Sequence, residues 1–101
     1  MRHLVYFSLP HEPFNSYVRD GSVGSKIGRI LEETKPEAIY FSTSDGQRGG
    51  VAIYNVETAS DIPSIAEPWF LTFEADCHFQ PCMSPEDLMN AGLDELGEKW
   101  G

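Results

Sequence analysis

Glu74, Asp76 and His78 stand two residues apart in a segment where apolar and polar types alternate. On an extended strand, residues two apart point the same way and lie ~6.6 Å from each other. Two carboxylates and an imidazole sharing a confined, low-dielectric space form an acid–base set. Glu74 or Asp76 can then act as general base, with His78 as acid or orienter. A solvated strand end gives the same pattern and is the more frequent outcome. His3 is a second candidate, with Tyr6 and Tyr40 as companion ligand-binding groups. A lone histidine near a strand end is more often packed or exposed than functional. Arg48, with Gln47 beside it, is a third candidate. On a glycine-rich loop its guanidinium can grip a carboxylate or phosphate with two parallel hydrogen bonds. A solvated turn cation, or an ion pair with a nearby acid, is the simpler account.

Other residue types carry less. Gly21, Gly24 and Gly28 fall within a sector of roughly 60° on a helix. They read as close helix-to-sheet packing, since the strand-then-GxGxxG context and the P-loop Lys-Ser/Thr pair are missing. His11 lies between Pro10 and Pro13 and reads as a solvated loop residue. The histidines share no metal-ligand spacing, and no His/Cys cluster surrounds Cys77 or Cys82, so no metal is expected. No cofactor is expected either. On one strand the two cysteines would sit ~16 Å apart, beyond the ~7 Å a disulfide allows. They read as free thiols in a reducing cytosol, with Cys77 buried and inert.

The elements that must position these groups follow from periodicity and punctuation. His3–Leu9 reads as a strand apolar on both faces, stopped by Pro10. Glu12–Lys35 reads as helical in its second half, where Val23, Ile27, Ile30 and Leu31 share one face. Its first half, around Phe14, Tyr17 and Val18, reads as a separate turn of helix. Asp20 or Ser22 serves as cap and Pro36 as stop. Ala38–Thr43 and Val51–Val56 read as strands of a hairpin joined by Ser44–Gly50, which contains Asp45-Gly46 and Gly49-Gly50. Asp61–Trp69 reads as a short helix ended at Pro68. Trp69–Cys82 reads as a long strand, with Leu71, Phe73, Ala75, Cys77 and Phe79 on its apolar side. Ser84-Pro85-Glu86-Asp87 is a good helix start, and Leu88, Met89, Leu93 and Leu96 supply an apolar side to a tail helix.

The chain has 101 residues and seven Lys+Arg against sixteen Asp+Glu, a net charge of −9. That length fits one domain, residues 1–101. The charge repels phosphate backbones and anionic membrane surfaces, so neither nucleic acid nor membrane is an expected partner. The apolar run Leu4 to Phe7 is too short for a signal peptide or a membrane span, and a cytoplasmic location is expected.

Strand, helix, hairpin, helix, strand is the split βαβ arrangement of an α+β, ferredoxin-like βαββαβ fold, here with a C-terminal helix. Both helices then cover one face of the sheet. The doubly apolar first strand asks for a cover on the other, which a second copy supplies by face-to-face packing. The alternative is that the C-terminal helix covers that face within the monomer.

The segments Lys35-Pro-Glu-Ala-Ile-Tyr-Phe, Asp45-Gly-Gln-Arg-Gly-Gly, Ile65-Ala-Glu-Pro-Trp-Phe-Leu and Met83-Ser-Pro-Glu-Asp-Leu run along nearly the whole chain. Together they resemble a small bacterial family without assigned function in the dimeric α/β-barrel superfamily. The resemblance implies a homodimer, a dimeric α/β barrel and a bacterial cytoplasmic setting. It implies no catalytic residues. Some relatives carry a pantothenate synthetase label, which this sequence does not support: it lacks the histidine-based nucleotide motif and the length for two domains. Three functions stay open. The first is a small organic molecule bound between sheet and helices. The second is cofactor-free acid–base catalysis of isomerase or monooxygenase type on the last strand, and the third is a protein-interaction module.

Overall fold

The computed structural model describes residues 1–101, and these form an α+β unit of four strands and five helices. In chain order they are β1 (Arg2–Leu9), α1 (His11–Asp20), α2 (Val23–Thr34), β2 (Ala38–Ser44), β3 (Gln47–Asn55), α3 (Asp61–Phe73), β4 (Asp76–Pro81), α4 (Pro85–Met89) and α5 (Leu93–Trp100). The sheet is antiparallel throughout, in the order β2-β3-β1-β4. That order is compatible with a ferredoxin-like fold. No helix is long and apolar enough to cross a membrane.

β1 is central and alternates strictly. His3, Val5, Phe7 and Leu9 are buried under α1–α3, while Tyr6 on the other face is 47% exposed. The expected second apolar face is therefore bare within one chain. The core under the helices is aromatic. Trp69 stacks on Phe7 at 4.9 Å between ring centroids, and Phe73 meets Trp69, Phe14 and Tyr17 at 6.1, 5.3 and 5.8 Å. Buried Tyr54 ties β3 to α2: its hydroxyl lies 2.8 Å from Thr34 Oγ1, which itself donates to the Ile30 carbonyl.

Four expectations need correction. The helix around Pro68 does not stop there but runs to Phe73, so the strand expected over Trp69–Cys82 shrinks to Asp76–Pro81. An interior proline costs about 3 kcal/mol. Ile65, Ala66, Trp69 and Phe73 follow helical spacing and are all buried, and truncating Trp or Phe in a core costs ~3–5 kcal/mol each. Their burial outweighs the proline. The hairpin turn is only Asp45-Gly46, both at positive φ (53° and 77°), the signature of a two-residue type I′ connection. Gly49 and Gly50 belong to β3, not to a loop. Gly24 and Gly28 do not pack on the sheet, because a Cβ at either would meet nothing within 4 Å. Gly21 instead caps α1 in the left-handed region (φ 81°).

Lastly, α4 and α5 do not cover the sheet's open face; they lead away from the body, with no extensive packing against any other element. Ser84 and Asp87 close a capping box at the start of α4, each side chain bonded to the other's backbone N–H at 3.0 Å. Those Ser84 bonds hold the Asp87 carboxyl below its ordinary 3.8. The folded state therefore favours the ionised form, and this local stabilisation fades as pH falls below about 3.8.

Candidate functional site

Register divides the open face of the sheet into rows that cross all four strands. One row reads Ala38, Ile53, Leu4, Gln80. The next reads Tyr40, Val51, Tyr6, His78, and a third reads Ser42, Gly49, Ser8, Asp76. With strands ~4.8 Å apart and same-face residues ~6.6 Å apart along each strand, the first row is an apolar band and the second an aromatic ridge. The third row is a trough of small side chains. Gly49 forms its floor: a Cβ there would run into the Phe7 carbonyl oxygen. The result is a cleft of about 690 Å³ over the second and third rows, extending to Gln47 and Asp45 at the hairpin. Gln47 is held by Ser8, whose hydroxyl donates to Gln47 Oε1 at 3.3 Å.

The cleft offers phenol faces from Tyr6 and Tyr40, the His78 imidazole, and hydroxyl and amide groups from Ser8, Ser42 and Gln47. No lysine or arginine lines it. Such a set can stack a small planar molecule and satisfy its polar edge. It supplies no cation for a phosphate. The cleft lies on the helix-free face, while the layer between sheet and helices is filled by the aromatic core.

Of the residues singled out from sequence, Tyr6, Tyr40 and His78 come together here. Asp76 shares the face, beside Ser8 at the edge of the trough. Glu74 does not join them. It terminates α3 in the left-handed region (φ 56°, ψ 33°) and is not on the strand. His3 faces the other way: it is buried, its Nδ1 is 3.3 Å from the Met1 carbonyl oxygen, and its ring meets Phe79 edge-on. Arg48 is likewise on the helix face. Its guanidinium lies over the Phe14 ring at 4.3 Å and donates to Asn15 Oδ1 at 2.8 Å, so it pins α1 to β3. Gln47, singled out beside Arg48, lines the cleft although Arg48 does not, whereas Ser8, Ser42 and Gly49 carry no such mark in the sequence. Their signal was the Asp45-Gly46 turn, which sets the β2–β3 register and with it the trough.

No hydrogen bond joins His78 to Asp76 or to either tyrosine. No three His, Cys, Asp or Glu side chains gather as a metal-ligating group. Cys77 and Cys82 are both free. Burial, helped by the Asp76 carboxylate, pushes the Cys77 thiol from 9.0 up to about 11. The folded state thus holds this proton more tightly than the unfolded chain, and stability falls as pH rises from about 9 towards 11. Cys77 is expected to resist iodoacetamide at pH 8 in the native protein and to react after unfolding, as mass spectrometry of the alkylated peptide would read. Native labelling of Cys77 at the unfolded rate would show the strand to be open.

No family model matches this chain, and no curated protein matches it.

Proposed function

We propose that the protein is a homodimer of ferredoxin-like subunits, paired through the open faces of their sheets as a dimeric α/β barrel, that binds a small organic molecule in the cleft. The observation that carries this reading is the row pattern. The apolar band of Ala38, Ile53 and Leu4, with the ridge of Tyr40, Val51 and Tyr6, is a self-complementary surface left in water by the single chain. Two sheets pack ~10 Å apart, so such contact leaves the small-residue trough unfilled and turns each cleft into a chamber between the copies. The ligand suited to it is planar, with hydrogen-bonding edges and no phosphate. A bacterial cytoplasmic setting belongs to the same reading. Acid–base catalysis is a weaker second reading: His78 and Tyr6 are cross-strand neighbours, but neither is oriented by a hydrogen-bond partner.

Sedimentation equilibrium should give twice the 11.3 kDa chain mass. A metabolite screen by thermal shift should find stabilising ligands, since one present at ~100 times its Kd adds about 2.7 kcal/mol. Tyr40→Ala, a change at a side chain that is 70% exposed, should weaken such a ligand about tenfold, or ~1.4 kcal/mol, and leave folding intact. A monomer at all concentrations would overturn the pairing, and an inert screen would overturn the ligand.

A further inference from the structure

The arm formed by residues 83–101 makes no extensive contact with the body of its own chain. α5 is exposed along its whole length, and Leu93, Leu96 and Trp100 follow i, i+3, i+7 spacing on it. Such spacing makes one apolar stripe. Leu88 and Met89 of α4 are bare as well, and Trp100 is 76% exposed. Isolated helices shorter than ~12–15 residues are marginal in water. α4 has five residues and α5 eight, so the arm needs a surface to hold its shape, and its own body does not provide one. The chain measures 60 × 28 × 18 Å with a radius of gyration of 17.1 Å, against about 13 Å for a compact chain of ~100 residues.

We infer that the arm docks on a second copy of this chain, each copy clasping the other around the sheet-to-sheet contact. The inference rests on the pairing proposed above. Two observations choose this occupant over an unrelated protein. First, the arm starts at the border of the open face. Cys82 N donates to the Arg2 carbonyl at 3.0 Å. A hollow of about 550 Å³ then lies between Arg2 and Asn55, a cross-strand pair on the open face, and Met83 and Asp87 of the arm. The arm is thus continuous with the surface that pairs. Second, the sheet alone is small for a stable interface. Four strands and about seven residues give a face of ~19 by 23 Å, about 440 Å² in projection; side-chain relief enlarges its accessible area, yet it stays a small patch beside the ~800 Å² of accessible surface per partner in a standard interface. Trp100 alone can bury roughly 150–250 Å², and the four aliphatic side chains of the same arm add to it. The twofold symmetry of a homodimer makes the exchange mutual.

The test uses the full chain and its Leu96→Asp and Trp100→Phe variants. These side chains touch nothing extensive in their own copy, so circular dichroism should show the body folded in both. Leu96→Asp should raise the dimer dissociation constant at least tenfold by sedimentation. Tryptophan emission of the natural chain should shift to the blue as concentration crosses that constant. Trp69, 1% exposed, contributes a constant signal, and the shift should vanish in Trp100→Phe. A dimer with unchanged affinity and red Trp100 emission would overturn the arm's docking and leave the sheet pairing standing. Blue Trp100 emission in the monomer, at concentrations where sedimentation shows the dimer dissociated, would overturn it too, by placing the arm on its own body. A chain monomeric at every concentration would remove both readings together.

Discussion

Trp69→Ala is expected to lower the unfolding free energy by about 3–5 kcal/mol, the usual range for removing a large aromatic from a packed interior. Small domains hold only ~5–15 kcal/mol in total, so the variant should sit close to unfolding at 37 °C. The physical reason is local. Trp69 is the side chain on which the sheet and the helix layer meet, stacked on Phe7 of β1 and tilted against Phe73 one helical turn on. Its loss leaves a void bounded by groups fixed to two different layers, which cannot both collapse into it. It also removes one of the two anchors that keep α3 helical beyond Pro68. Urea unfolding followed by far-ultraviolet circular dichroism reads both effects as a lower midpoint and reduced native helix signal. A loss below ~1 kcal/mol would show that the aromatic stack does not organise the core.

Gly50→Val is the second large change, and it acts through the backbone. A Cβ at Gly50 would meet the Tyr40 carbonyl oxygen on β2, the Phe7 ring at 2.7 Å and the Phe41 Cα at 3.2 Å. Two of these contacts are main chain and cannot rotate away. Overpacking a well-filled interior costs typically 1–3 kcal/mol, occasionally more, and a branched residue here should reach the upper end, because it pries β2 from β3 and displaces Phe7 from Trp69. Gly28→Ala, in the interior of α2, supplies the opposite sign on the same chain. With nothing near its Cβ, it should stabilise α2 by about 0.5–1 kcal/mol through helix propensity. Thermal unfolding of the two variants beside the parent gives the comparison. Equal behaviour of the two would mean that β2 and Phe7 yield at Gly50 without cost.

The contrast between these glycines shows where sequence patterns sufficed and where they did not. Local signals were readable. His3–Leu9 announced a strand, Val23 to Leu31 announced an amphipathic helix, and Ser84-Pro85-Glu86-Asp87 announced a capped start, because each depends on neighbours within a few residues. The segment from Ile65 to Phe79 was harder, because it satisfies two periods at once. Ile65, Ala66, Trp69 and Phe73 repeat at helical spacing, while Leu71, Phe73, Ala75, Cys77 and Phe79 repeat at two. Only the cross-sheet demand for Trp69 beside Phe7 decides between them, and that contact joins residues more than sixty positions apart. Once the helix wins, Glu74 becomes its left-handed terminus and leaves the polar row it was expected to share with Asp76 and His78. The site was half legible for the same reason. Tyr6, Tyr40 and His78 were recognisable by type, whereas the Ser8–Gly49–Ser42 trough exists only through strand register.

The outstretched arm has a hydrodynamic consequence. A chain with a 60 Å long axis drags more water than a sphere of 11.3 kDa, so even its monomer should run ahead of its mass on a sizing column. A dimer in which both arms fold back would gain less apparent size than its doubled mass implies. The two species should therefore elute closer together than twofold globular standards, and the quantity that separates them is mass measured independently of shape.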